Sequence, residues 1–199
     1  YFADEAHLDP RTSLKALANA LRARGVPFVA TEYVSSRNSG STVDCRGIEA
    51  RDALRDLRGV KGEMLVLRCP EMTLRRPVRL LHPRIPIYIV PRGDGVFMLG
   101  ATQIEAAERG RVTVRSVLEL LSAAYALHPA FGEAEIVEIG CDARPAFPDN
   151  LPRIRKRGST VFANGLFRHG FLLAPALARM TADFVLEGIV PEVMDENHG

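Results

Sequence analysis

Four short apolar runs, each cut off by glycine or proline, constrain this chain more than any other feature. They occupy residues 64–68, 78–82, 87–90 and 96–100, are rich in β-branched and large apolar residues, and lie among Gly62, Pro70, Pro86 and Gly100. Runs this short and this closely punctuated suit strands rather than helices. Gly93-Asp94-Gly95 between the last two is a hairpin signal. The middle of the chain therefore reads as an antiparallel meander.

Helical signals flank it. Asp9-Pro10 offers an N-cap and a first-turn proline, followed by Leu14, Leu17, Ala18 and Leu21 along one face, with a stop at Gly25. A strand over 28–32, a polar loop over 35–41, a strand over 42–45 and a short helix over 49–57 ending at Gly59 come next. Thr113 or Ser116 can cap a second helix, Ser116 with Glu119 fitting a capping box, and Val117, Leu120, Leu121 and Ala124 form its stripe up to His128-Pro129. A strand over 135–141, an irregular loop over 142–160, a short strand over 161–163 and a helix over 175–187 stopped by Gly188 complete the reading. The fold class is α+β: a central antiparallel or mixed β-sheet with flanking helices and a C-terminal strand–turn–helix piece. The elements do not alternate strand and helix throughout, which argues against a complete doubly wound domain.

Composition narrows the function. Of 199 residues, 26 are basic and 24 acidic, a net charge of +2. So small a surplus makes no electrostatic case for nucleic acid or an anionic membrane surface. No apolar stretch is long enough to span a bilayer, and the first residues lack the pattern of a signal peptide. Cys45, Cys69 and Cys141 are an odd, widely spaced set, read as isolated buried thiols in a reducing, cytoplasmic setting. His7, His82, His128, His169 and His198 have no ligand spacing, so no metal is expected. The first residue is not methionine, and the expectation is a part excised from a longer protein.

Three places carry chemistry. The segment Gly165-Leu166-Phe167-Arg168-His169-Gly170-Phe171-Leu172-Leu173-Ala174-Pro175 runs from a strand through a glycine-flanked turn into a helix. Backbone N–H groups at such a helix start can stabilise negative charge, and Arg168 adds a cation there. A plain joint with a surface arginine fits the same residues. Arg144 precedes Pro145, a pairing that does not easily continue a helix or sheet. Its guanidinium fork suits a carboxylate, or it is simply a loop arginine. Tyr88, between Ile87 and Ile89, could donate to a carboxylate or be a core tyrosine. Lys61-Gly62-Glu63 reads as a charged turn before the first run. No GxGxxG, GxSxG, HExxH or P-loop occurs.

Together, His7-Leu8-Asp9-Pro10, Val60-Lys61-Gly62-Glu63, Tyr88-Ile89-Val90-Pro91-Arg92 with Gly100-Ala101-Thr102, Arg144-Pro145 and the 165–175 segment resemble the FAD-dependent amino-acid oxidase family of the D-amino-acid oxidase and sarcosine oxidase type, above all its glycine-oxidase branch of thiamine biosynthesis. The resemblance covers nearly the whole chain. It implies FAD as cofactor, a small amino acid as substrate, oxidation to an imine with peroxide release, and a homo-oligomer, since relatives form tetramers. It implies Tyr88, Arg144 and Arg168 as substrate-carboxylate residues. Gly165, Arg168, His169, Gly170, Phe171, Leu172 and Leu173 would lie along the flavin, and no side chain would be catalytic, the flavin doing the chemistry. The chain departs from the family at Pro86, where a relative carries histidine, and at Gln103, where methionine is frequent. The family's GxGxxG segment would precede residue 1. Residues 1–60 would then belong partly to a flavin domain, 61–142 to a substrate domain with one long helix, and 143–199 to the end of the flavin domain. Such a piece is expected to hold FAD weakly and to be inactive alone. The rival expectation is a non-catalytic module that binds a small carboxylate or serves assembly.

Overall fold

The structure, a computed structural model, describes residues 6–30, 41–81 and 87–195. The chain runs α1 (Pro10–Ala23), β1 (Thr42–Asp44), a 3-10 turn (Gly47–Asp52), β2 (Arg58–Arg68), β3 (Val78–Leu80), β4 (Ile87–Gly93), β5 (Val96–Gly100), α2 (Val114–Leu127), a 3-10 turn (Pro129–Glu133), β6 (Glu135–Ala146), β7 (Arg153–Arg157), β8 (Thr160–Asn164) and α3 (Gly170–Glu187). Five strands form one sheet in the order β3-β4-β5-β2-β6, antiparallel throughout; three form a second, β1-β8-β7, in which β1 and β8 are parallel. This is the expected α+β class. The meander holds from β3 to β5, but β2 folds back to lie beside β5 and carries β6 on its far side.

Alternation along β2 divides the large sheet into two faces. Leu65 and Leu67 join Ile87, Ile89, Phe97 and Leu99 on one face, and α2 covers them with Leu120 and Ala124. Phe97 meets Phe131 edge to face, centroids 5.3 Å apart. The other face carries the site.

Several local readings change in three dimensions. Lys61-Gly62-Glu63 is no turn: it lies mid-strand, with Lys61 and Glu63 buried beneath α2. The Lys61 ammonium lies 2.9 Å from the Glu63 carboxylate and 2.7 Å from Glu108. Thr113, the N-cap of α2, donates its backbone N–H to Glu63 at 3.2 Å and accepts from the Ser116 N–H, also at 3.2 Å. Ser116 is buried in this cluster, so the cap uses Thr113. Residues 142–160 are not one loop, because β6 runs on to Ala146 and β7 begins at Arg153. Arg144-Pro145 continues the strand, paired with Val60 and Gly59. Proline is tolerated because β6 is an edge strand and the Pro145 nitrogen points off the sheet, on the side where its carbonyl accepts the Phe167 N–H at 3.1 Å.

The expected helix over 49–57 is only the 3-10 turn Gly47–Asp52, stopped where Ala53 N–H bonds Ala50. Helix α3 starts at Gly170 and carries Pro175 inside it. The expected strand over 28–32 is absent at 28–30, and its last two residues, like loop residues 35–40, His82, Pro86 and His198, lie outside the described residues. Of the three cysteines only Cys69 is buried; Cys45 is exposed and Cys141 half-exposed, all as free thiols. α1 forms as expected, with Thr12 N–H on Asp9, but buries no residue: Leu14 and Leu17 are exposed.

Gly165 shows what holds the second sheet to the turn after it. Its φ is +81°, and a Cβ there would run into the Phe147 ring. Gly165→Ala is therefore expected to cost about 2 kcal/mol or more, from left-handed strain plus the clash. Thermal unfolding checks it: an unchanged melting temperature would show that Phe147 can move aside.

Candidate functional site

A cavity of about 390 Å³ opens on the sheet face away from α2. Its walls include His7, Arg79, Tyr88, Ala101, Arg144, Arg168 and His169. Tyr88, Arg144 and Arg168, singled out by sequence, thus line one cavity although they come from β4, β6 and the turn before α3.

Register explains how each arrives. Tyr88 pairs with Gly100, and Gly100 with Met64, so the tyrosine ring lies along a row kept low by a glycine. A Cβ on Gly100 would sit 3.8 Å from the Tyr88 hydroxyl. Arg144 points from β6 onto this same face and donates to the Thr102 carbonyl at 3.3 Å. Thr102 is itself fixed to β2: its hydroxyl accepts the Glu63 N–H at 2.9 Å, and its own N–H donates to Glu63 O at 3.1 Å. Arg168 is brought in because the preceding residue, Phe167, is tied to Pro145, one residue beyond Arg144. It donates to the Gln103 side chain at 3.3 Å.

The electrostatics favour an anion. Burial lowers the Arg144 guanidinium's pKa from its ordinary value; the Tyr88 oxygen opposes the shift and the neighbouring Arg168 charge adds to it. Among the described cavity-lining residues none is acidic. Arg144 and Arg168, on a cavity that Arg79 also lines and no described carboxylate does, are stabilised by an incoming carboxylate.

The N-terminus of α3 adjoins this cavity. Its N-cap, His169, makes no side-chain cap, and no acidic residue stands in the first turn. Nothing lies within 4 Å of where a Gly170 Cβ would stand, and Phe171 and Leu172 are exposed. Room beside uncapped N–H groups suits the anionic edge of a planar ring. Leu173, one turn in, donates its N–H to His169 O at 2.8 Å. Gly165 stands behind the turn and borders a second, apolar groove of about 560 Å³ with Val43, Ala163, Leu177 and Val185. Among the described residues no cluster of three or more His, Cys, Asp or Glu could hold a metal. No described helix is long and apolar enough to cross a membrane.

Sequence reasoning missed the parts that aim the arginines. Thr102 was visible only as part of a motif, and Gln103 only as a departure from one. Lys61 and Glu63 had a signal of their own, two opposite charges at strand spacing, which places both on one face.

The family model described as FAD dependent oxidoreductase matches residues 1–184. A Rhizobium etli protein that carries the provisional name thiamine biosynthesis oxidoreductase ThiO is 55% identical over 179 residues, covering 89% of this chain and 55% of that protein. Glycine oxidase from Geobacillus kaustophilus is 34% identical over 130 residues, 63% of this chain and 33% of that one. The crystal structure of glycine oxidase from G. kaustophilus superposes with a TM-score of 0.66 at 28% identity, covering 77% of this chain and 43% of that chain. The chain thus spans about half the length of the first of these relatives and a third of the second. With the family model matching nearly end to end, this chain belongs to the FAD-dependent oxidoreductase family that includes the glycine oxidases.

Proposed function

We propose that this chain provides the substrate-carboxylate wall and the flavin-facing helix end of an FAD-dependent oxidase of glycine or a similarly small amino acid, acting in thiamine biosynthesis. The observation that carries the reading is the meeting of Arg144, Arg168 and Tyr88 in one cavity whose described lining has no acid. The names of the ThiO and glycine oxidase relatives support the substrate and pathway.

In this reading Arg144 holds the substrate carboxylate with its fork, and the Tyr88 hydroxyl donates to the same group. Arg168, steadied by Gln103, stands between that carboxylate and the cofactor. The backbone from His169 to Leu173, with Gly165 shaping the turn, supports the flavin's pyrimidine edge. FAD, when bound, supplies the hydride acceptor, and oxygen is reduced to peroxide. The chain's residues orient the α-carbon and neutralise the carboxylate. Residues 1–60 and 143–199 would contribute to the flavin domain and 61–142 to the substrate domain. Three free thiols are in keeping with a cytoplasmic setting. The 199-residue chain by itself would be inactive.

The test is the visible spectrum of the intact gene product after FAD is added and excess removed. A retained flavin band that bleaches on adding glycine, with peroxide released, is the expected result. Carboxylate binding with no retained flavin would overturn the reading in favour of a non-catalytic carboxylate-binding module. Tyr88→Phe is expected to weaken glycine binding by about 0.5–1.5 kcal/mol, one hydrogen bond. A collapse of folding would instead make Tyr88 a core residue.

A further inference from the structure

We infer that Gly62 is a positioning residue for the carboxylate site: the missing side chain at this position creates the berth in which the Arg144 guanidinium lies. The inference rests on the reading of Arg144 as the carboxylate's partner.

Gly62 sits in the interior of β2, is buried, and pairs across the strands with Asp142. A glycine there is unfavourable in itself, because it adds backbone entropy to the unfolded chain and packs no side chain. It is also not required by the backbone. The glycines with left-handed φ are Gly25, Gly47, Gly93, Gly95, Gly158, Gly165 and Gly188, and Gly62 is not among them. Any residue could adopt its conformation, so its reason is steric.

The three atoms nearest to a Cβ built on Gly62 all belong to one group: both terminal nitrogens and the central carbon of the Arg144 guanidinium, well inside van der Waals contact. The fork therefore lies flat against the bare strand. The register produces this: Arg144 is opposite Val60, so Gly62 is its diagonal neighbour on the same face. The neighbours of Gly62 have a different task, since Lys61 and Glu63 face the core beneath α2.

A methyl group at position 62 has one easy way to be accommodated. The obstacle is the far end of a flexible side chain, not backbone, so the guanidinium moves while the strand stays. Gly62→Ala should keep the fold and misplace the fork.

The experiment uses the intact gene product and acetate, a carboxylate without an amine, with affinity read by calorimetry for Gly62→Ala, Arg144→Ala and the double variant. Gly62→Ala is expected to weaken acetate at least tenfold in the natural background and less than twofold when Arg144 is already alanine. Its KM for glycine should rise in parallel. Equal losses in both backgrounds would mean a general structural effect and overturn the inference. So would unchanged acetate affinity in Gly62→Ala while Arg144→Ala loses it, an outcome that leaves the carboxylate reading intact. Unchanged affinity in Arg144→Ala removes that reading and the inference with it. Should Gly62→Ala not fold, the double variant decides: recovered folding supports the clash with Arg144, and continued failure overturns it.

Discussion

Arg144→Ala is expected to raise the KM for glycine roughly ten- to hundredfold in the intact gene product. The guanidinium is half-buried, faces a cavity whose described lining has no acid, and donates to the Thr102 carbonyl at 3.3 Å. A charged hydrogen-bond partner contributes about 1.5–3 kcal/mol, and each 1.4 kcal/mol is about a factor of ten. Arg144→Lys should recover only part of the loss, because an ammonium cannot reproduce the fork. Steady-state kinetics over a range of glycine concentrations checks both variants. An unchanged KM would take Arg144 out of the site. The fold should tolerate the loss, since among the described residues no carboxylate pairs with Arg144.

Glu63→Gln is expected to destabilise the fold by about 3 kcal/mol at neutral pH. Glu63 is fully buried, bonded to the α2 cap and paired with Lys61. Burial alone would raise its pKa; bonds from Ser116, Lys61 and the Thr113 N–H outweigh that and hold the carboxyl below its ordinary value of 4.5. The neutral amide leaves the buried Lys61 short of a charge. Because the folded-state value is lowered, the stabilisation is complete above the ordinary value and is lost as pH falls through the folded one. The natural chain and the variant should therefore converge in acid. Urea midpoints at pH 7 and at successively lower pH below 4.5 provide the comparison, and a gap that does not narrow as pH falls would rule out the charged pair.

The two predictions draw on opposite faces of one sheet, Arg144 from β6 and Glu63 from β2, which shows what was readable and what was not. Alternation and punctuation made β3, β4, β5 and their hairpin legible. The capped starts of α1 and α2 were legible too, because these signals act within a few residues. The same local rules misread Lys61-Gly62-Glu63 as a turn, since a glycine between charges has that signature wherever no partner strand is known. They ended a strand at Cys141, short of Arg144-Pro145, since proline stops strands unless its nitrogen faces an open edge. They began α3 at Pro175, since proline suits a first turn. For α1 they marked an apolar face, but whether anything covers a face is not a local property: among the described residues Leu14 and Leu17 remain exposed.

The sequence by itself determined the class of fold and the apolar faces of the central strands, and through resemblance it singled out Tyr88, Arg144 and Arg168, which line one cavity. Periodicity and residue chemistry suffice for that, because they act over one or two turns of chain. Only the tertiary structure decided that β2 returns between β5 and β6, that Thr102 and Gln103 hold the two arginines, and that Gly62 lies under one of them. Those relations join residues 28 to 88 positions apart. They are set by strand register, in which a shift of one residue would turn Arg144 to the opposite face and leave no site.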